Sequence, residues 1–282
     1  MNFSKVLCFG IALCLGSGSV AYAQSTATSV EQCKHLTNKK QFRCLSQLAE
    51  RGNTQAQFSL GTMYDNGEGV KQDYTQAFFW FQKAAEKGND KAQFSLGVMY
   101  QNGEGIKQDY RQAVFWYQKA AEQGNDKAQF NLGVLYNDGD GVELNYKQAV
   151  FWYQKAAEQN LADAQFNLAL MYADGNGVHQ DLRQAFSWFE KAAEQEQANA
   201  QFALGLMYRN GEGTKQDDHQ AAFWYQKAAE QGLANAQYNL ALMYGNGQGV
   251  KQSDEQGLYW LRKAAAQGFS EAEKALQILL NE

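Results

Sequence analysis

The six tryptophans of this chain, Trp80, Trp116, Trp152, Trp188, Trp224 and Trp260, stand 36 residues apart. The residues around them repeat with the same period, without insertion or deletion, from Ala56 to Glu271. A unit this short cannot bury an apolar face alone. Stacked on copies of itself it can, so the period dictates a solenoid rather than one or two ordinary globular domains. The 282 residues contain no proline, which excludes collagen-like, mucin-like and proline-rich linker chains. With 25 basic against 30 acidic residues the net charge is −5, so no nucleic-acid partner is expected.

Each unit holds two helix patterns. In the first, Ala56, Leu60, Gly61, Met63 and Tyr64 line one face of a helix A, which ends at Asp65-Asn66-Gly67-Glu68-Gly69. The glycine pair recurs in every unit, as a left-handed helix exit requires. Helix B starts at an N-cap of the right type: Asp73, Asp109, Asn145, Asp181, Asp217 or Ser253. Glutamine follows three residues later each time, from Gln76 to Gln256, the spacing of a capping box in which the amide reaches back to the N-cap. Helix B shows Ala77, Trp80, Phe81, Ala84 and Ala85 on one face and stops at Gly88. Gly124, Gly232 and Gly268 repeat that stop and Asn160 is an acceptable substitute. Glu196 is not, which predicts a longer, looser or more helical junction after the fourth unit. The tryptophan is expected to fill the space between neighbouring units.

Residues 1–23 read as a secretory signal, with Lys5, an apolar stretch Val6 to Leu15 and an Ala21-Tyr22-Ala23 cleavage site. The chain is therefore expected to be exported, with no membrane span after signal removal. Two cysteines remain beyond that segment. Along one continuous helix Cys33 and Cys44 would lie roughly 16 Å apart, so pairing requires a turn, for which Thr37 to Lys40 is the candidate. A disulfide stapling the first helices is the favoured reading and a reactive thiol the alternative. The organisation is then signal peptide 1–23, N-terminal capping helices 24–55, repeats 56–91, 92–127, 128–163, 164–199, 200–235 and 236–271, and a C-terminal capping helix 272–282. In that last helix Ala275, Leu276, Leu279 and Leu280 are expected to cover the sixth unit.

A catalytic site is singular whereas this chain is periodic. His35, His179 and His219 lack metal-site spacing and read as solvated. Glu86, Glu122, Glu158, Glu194 and Glu230 repeat in register, as a solvated face does. The Gly-x-Gly turns follow a helix rather than a strand and lack the third glycine of a dinucleotide loop. No cofactor, no metal site and no catalytic residue are assigned.

The pattern A-Q-F-x-L-G-x-M-Y-x-N-G-x-G-V-x-Q-D-x-x-Q-A-x-x-W-x-x-K-A-A-E-x-G resembles the Sel-1-like repeat family, relatives of tetratricopeptide repeats, over six complete units. The resemblance implies an all-α, right-handed superhelix with partial capping repeats, in which helix A lines the concave side. It also implies a bacterial protein, periplasmic or secreted, that acts as a scaffold or adaptor for a protein or peptide. Some cysteine-rich exported relatives have been linked to β-lactam chemistry. An envelope hydrolase acting on peptidoglycan or β-lactams is thus one alternative, and a host-interaction factor another. This chain lacks the cysteine pair per unit of those relatives, and no Ser-x-x-Lys follows the signal.

On such a concave side the variable row is Asp65, Gln101, Asn137, Ala173, Arg209 and Gly245, which changes charge and size on a shared frame. It is the expected contact row. Beside it Asn131, Asn167 and Asn239 belong to a polar row able to hydrogen-bond a peptide backbone. The uniform row Phe58, Phe94, Phe130, Phe166, Phe202 and Tyr238 is expected to pack between adjacent A helices. Inter-unit packing is also the expectation for Phe79, Phe115, Phe151, Phe223 and Tyr259 on helix B.

Overall fold

A computed structural model describes residues 29–281. The signal segment expected at 1–23 lies outside the described residues. These form fifteen α-helices and no strand. Helices α1 (Val30–Lys34) and α2 (Asn38–Glu50) precede six A/B pairs. The pairs are α3 (Thr54–Asn66) with α4 (Tyr74–Glu86), α5 (Asp90–Asn102) with α6 (Tyr110–Glu122), and α7 (Asp126–Asp138) with α8 (Tyr146–Glu158). They continue as α9 (Ala162–Asp174) with α10 (Leu182–Glu194), α11 (Ala198–Asn210) with α12 (Asp218–Glu230), and α13 (Ala234–Asn246) with α14 (Asp254–Ala265). Helix α15 (Ser270–Asn281) ends the stack. Each helix packs on its sequence neighbours, the architecture of a helical solenoid.

Local chemistry explains the regularity. Helix A leaves through Gly67 at φ 73°, and Gly69 follows at φ 72°. The second glycine serves packing as well as the turn, because a Cβ on Gly69 would lie 2.6 Å from the carbonyl oxygen of Asn38, at the start of the preceding helix. At the entry to helix B the Asp73 carboxylate accepts from the Gln76 N–H at 3.0 Å. The reciprocal half of the expected capping box does not form. Tyr64 accepts the N-cap N–H of Asp73 at 2.9 Å, and Tyr100, Tyr136, Tyr172, Tyr208 and Tyr244 do the same in the later units. With that donor already taken by the end of helix A, the glutamine amide has no N-cap N–H to reach.

The fourth junction also departs from expectation. Glu196 adopts φ 63° and Asn160 φ 69°, and the backbone bonds around Glu196 match those around Gly124. The turn is therefore the same length as the others. Packing on both sides over-determines it, at a cost of roughly 1–2 kcal/mol for a left-handed non-glycine residue.

The core is a series of clusters that bridge units. Trp152 packs against a buried cluster that Ala113, Tyr117, Ala120 and Ala121 of the preceding helix B form with Leu132 and Leu135 of its own unit's helix A. Trp116, Trp188 and Trp224 repeat the arrangement. The phenylalanine row of helix A is half-buried, but its ring partners are on helix B of its own unit. Phe58 lies 5.8 Å from Phe81 and Phe130 5.9 Å from Tyr153. Its uniformity thus reflects A-to-B packing within a unit more than contact between A helices. The helix B row is not packed between units at all. Phe79, Phe115, Phe151, Phe223 and Tyr259 are 44–49% exposed, each with its ring edge-on to the tryptophan that follows and a lysine over one face. One residue of offset from tryptophan turns the side chain by a quarter turn or so about the helix axis, away from the neighbouring unit.

A second tie between units is polar. Gln93, Gln129, Gln165, Gln201 and Gln237 are buried. Each Nε2 donates to a helix B carbonyl eight residues earlier, Gln129 to Ala121 at 3.1 Å for example. Each Oε1 accepts from a glutamine thirty residues later: Gln123, Gln159, Gln195, Gln231 or Gln267, at 2.7–2.8 Å. Gln57 holds the same place in the first unit, but Lys87 stands where its donor should be, bonds Gly52 instead, and leaves Gln57 Oε1 buried without a partner. Lys87→Gln should complete the ladder and stabilise the chain by about 1 kcal/mol, read as a higher urea midpoint. An unchanged or lower midpoint would contradict the ladder.

The ends are closed differently. Cys33 and Cys44 form a disulfide with Cα atoms 5.6 Å apart. The turn that permits it is His35 to Thr37, not Thr37 to Lys40, because α2 already begins at Asn38 with Thr37 as its N-cap. At the other end Ala272, Ala275 and Leu276 cover the sixth unit, whereas Leu279 is 52% exposed. It occupies the position held by the buried methionines of helix A in most other units.

Candidate functional site

The variable row lies on the A helices, and all six members are half-buried. Helix A places them in its last turn, two residues before its glycine exit, beside the mouth of a trough bounded by helix B of the same unit and helix A of the next. In the second unit the Tyr117 hydroxyl donates to Gln101 Oε1 at 2.7 Å, with the Asn131 side chain close by. In the third, Tyr153 pairs with Asn167, while Asn137 Nδ2 donates to the Asp138 carboxylate at 2.8 Å. In the fifth, the Arg209 guanidinium donates to Asn239 Oδ1 at 3.0 Å beside Tyr225, and Asn239 Nδ2 donates to the Asn235 carbonyl. Burial pushes the Tyr117 and Tyr153 hydroxyls well above the usual tyrosine range and Tyr225 to about 12, so all three remain proton donors at physiological pH.

The six positions are not equivalent electrostatically. At the N-terminal end burial holds the Asp65 carboxyl above the usual carboxylate range, and the negative charge of Glu104 adds to the effect. Near the C-terminal end Arg209 supplies the opposite sign. Between them lie carboxamides and Ala173. Such a face can bond a polypeptide backbone and read charge at two separated points. It gathers no acid, base and nucleophile into one place. Among the described residues no group of three or more His, Cys, Asp or Glu side chains could hold a metal ion. The three histidines are exposed.

The structure brings the variable row and the polar row of the next unit together beside the tyrosines of helix B: Tyr117 bonds Gln101 in the second unit, and Arg209 bonds Asn239 directly in the fifth, where the Tyr225 hydroxyl is buried without a partner. These tyrosines were not assigned to the site from sequence, although their alternation with phenylalanine at one repeat position was a visible signal.

The Sel1 repeat profile matches residues 54–89, 90–125, 126–161, 162–196, 198–233 and 234–269. The chain belongs to the Sel1 repeat family. Among solved structures it is similar to c5321, described as a protective antigen of uropathogenic Escherichia coli strains with an SLR fold. The two are 42% identical with a TM-score of 0.80, over 82% of this chain and 50% of that one. The chain thus spans about half the length of the antigen. A Sel1 repeat protein from Oxalobacter formigenes is 35% identical with a TM-score of 0.72, over 83% of this chain and 93% of that one. No curated protein matches. Sel1 repeat proteins generally act as protein–protein interaction scaffolds and are typically non-enzymatic. No helix among the described residues is long and apolar enough to cross a membrane.

Proposed function

We propose that this Sel1 repeat protein is an exported scaffold that holds a protein or peptide against the inside face of its A helices. The observation that carries the reading is the variable row, Asp65, Gln101, Asn137, Ala173, Arg209 and Gly245. It changes charge and size from unit to unit at half-exposed positions on a frame that is otherwise largely repeated. Asn131, Asn167 and Asn239 beside it offer carboxamides to a bound backbone. Export is supported by the Cys33–Cys44 disulfide, which persists in an oxidising compartment.

The test is affinity capture from cell envelope extract with the wild-type protein and the Arg209→Glu variant, followed by affinity measurement on the partner recovered. Arg209 makes one side-chain hydrogen bond, so the variant should lose no more than about 1 kcal/mol of stability. Partner affinity should fall at least tenfold, as reversal of one interfacial charge does. A partner held equally by both proteins would remove the inside face from recognition.

A further inference from the structure

The six troughs between helix A, helix B and the next helix A are built alike. In five of them a buried aromatic ring of helix B forms the floor: Phe81, Tyr117, Tyr153, Phe189 or Tyr225. The fifth trough is completed by Arg209 across its mouth, bonded to Asn239. In the sixth the corresponding residues are Leu261, Gly245 and Ala275, and Gly257 replaces the alanine found at that position of helix B in the other units. All four are smaller than their counterparts in the fifth unit. What remains is a largely apolar cleft of about 720 Å³, walled by Leu242, Leu258, Leu261, Leu276, Ile278 and Leu279. Gly245 is the telling residue. It lies in the last turn of its helix, needs no left-handed backbone, and a Cβ there would meet nothing within 4 Å, so neither turn geometry nor close packing accounts for it.

We propose that this cleft is a docking site for an aromatic side chain of a polypeptide partner, which lies over the buried Leu261 and Ala241 between the same kind of helix triplet that encloses the Tyr225 ring one unit earlier. The molecule itself supplies the template, since the same three-helix trough encloses an aromatic ring five times over. Leu242 and Gly245 continue the rows of the inside face, so the cleft lies in line with the proposed groove. The inference rests on that reading of the groove. The volume falls within the range of ligand pockets, which makes a lipid acyl chain the rival occupant. The rim favours the polypeptide: it carries both Arg262 and Asp254, which suit a neutral dipolar backbone better than a carboxylate headgroup.

The chain has only three isoleucines, Ile11, Ile106 and Ile278, so selective isoleucine-methyl labelling of the full chain gives a reporter in the cleft and one far from it. The probes are a capped glycine/serine peptide with one central phenylalanine, the same peptide with alanine, and laurate. The phenylalanine peptide should shift Ile278 saturably and leave Ile106 unmoved. Leu261→Tyr, which rebuilds the floor, should weaken that binding at least tenfold. The Phe189 ring already sits beside Ala169, so a ring at 261 beside Ala241 is compatible with the fold. Gly245→Arg, which closes the mouth, is the second variant and should do the same. An Ile278 signal that ignores the phenylalanine peptide, or responds equally to the alanine peptide, overturns the proposal. A shift with laurate alone overturns it in favour of a lipid. If Arg209→Glu loses its partner while these peptide experiments fail, the groove stands and the cleft does not. If the cleft binds the peptide while Arg209→Glu keeps its partner, the reverse holds.

Discussion

Trp152→Ala is expected to lower the free energy of unfolding by about 3–5 kcal/mol, the largest single-residue effect in the middle of the chain. The indole joins helix B of the second unit to helix A of the third. Its loss opens a cavity at an interface rather than inside a unit. In a linear array, stability is a sum of unit and interface terms, so weakening one interface should uncouple the two sides. The denaturant transition should therefore broaden or split as well as move to lower concentration. Phe151→Ala, at the neighbouring position, provides the contrast: that ring is 47% exposed and its removal should cost much less. Equal losses from the two variants would show that the tryptophan is not the inter-unit joint.

Gly141→Ala should destabilise by about 3 kcal/mol, although one methyl group is added at a surface turn. Two costs combine there. Gly141 has φ 72°, and a left-handed alanine costs roughly 1–2 kcal/mol. The new Cβ would also lie 2.5 Å from the carbonyl carbon of Tyr110 on the preceding unit, and overpacking typically costs about 1–3 kcal/mol. Gly124→Ala separates the two effects. Its φ is 91° but a Cβ there would meet nothing within 4 Å, so only the backbone cost applies. Urea denaturation of both variants measures the difference, and equal losses would mean that the inter-unit contact at Gly141 contributes nothing.

The comparison between these glycines shows how far a repeat can be read. The pair in each turn was legible because glycine recurs where a helix must exit through positive φ. That the second glycine also admits the neighbouring unit was not, since the contact joins residues one unit apart. The same division runs through the candidate site. The variable row was visible as a departure from period among Asp65, Gln101, Asn137, Ala173, Arg209 and Gly245. The tyrosine hydroxyls that reach it from helix B, and the glutamine ladder that ties unit to unit, depend on side chains meeting across thirty residues or between different helices. The exposed aromatic row of helix B was read as packing because hydrophobicity marks a residue as apolar without saying which way the helix is turned.

The sequence by itself determined the unit, its two helices, their caps and exits, the family and the two cysteines available to pair. All of these are local, and local chemistry repeated six times leaves one way for the chain to stack. Tertiary structure alone decided what happens where the repetition fails. Glu196 follows the turn of its neighbours because packing on both sides outweighs its backbone preference. Lys87 leaves Gln57 without a partner because the missing donor lies thirty residues away, at the end of the helix B that packs on it. Leu261, Gly245, Ala275 and Gly257 are four unremarkable residues in sequence, and they become a cleft only when three helices bring their missing volumes to one place.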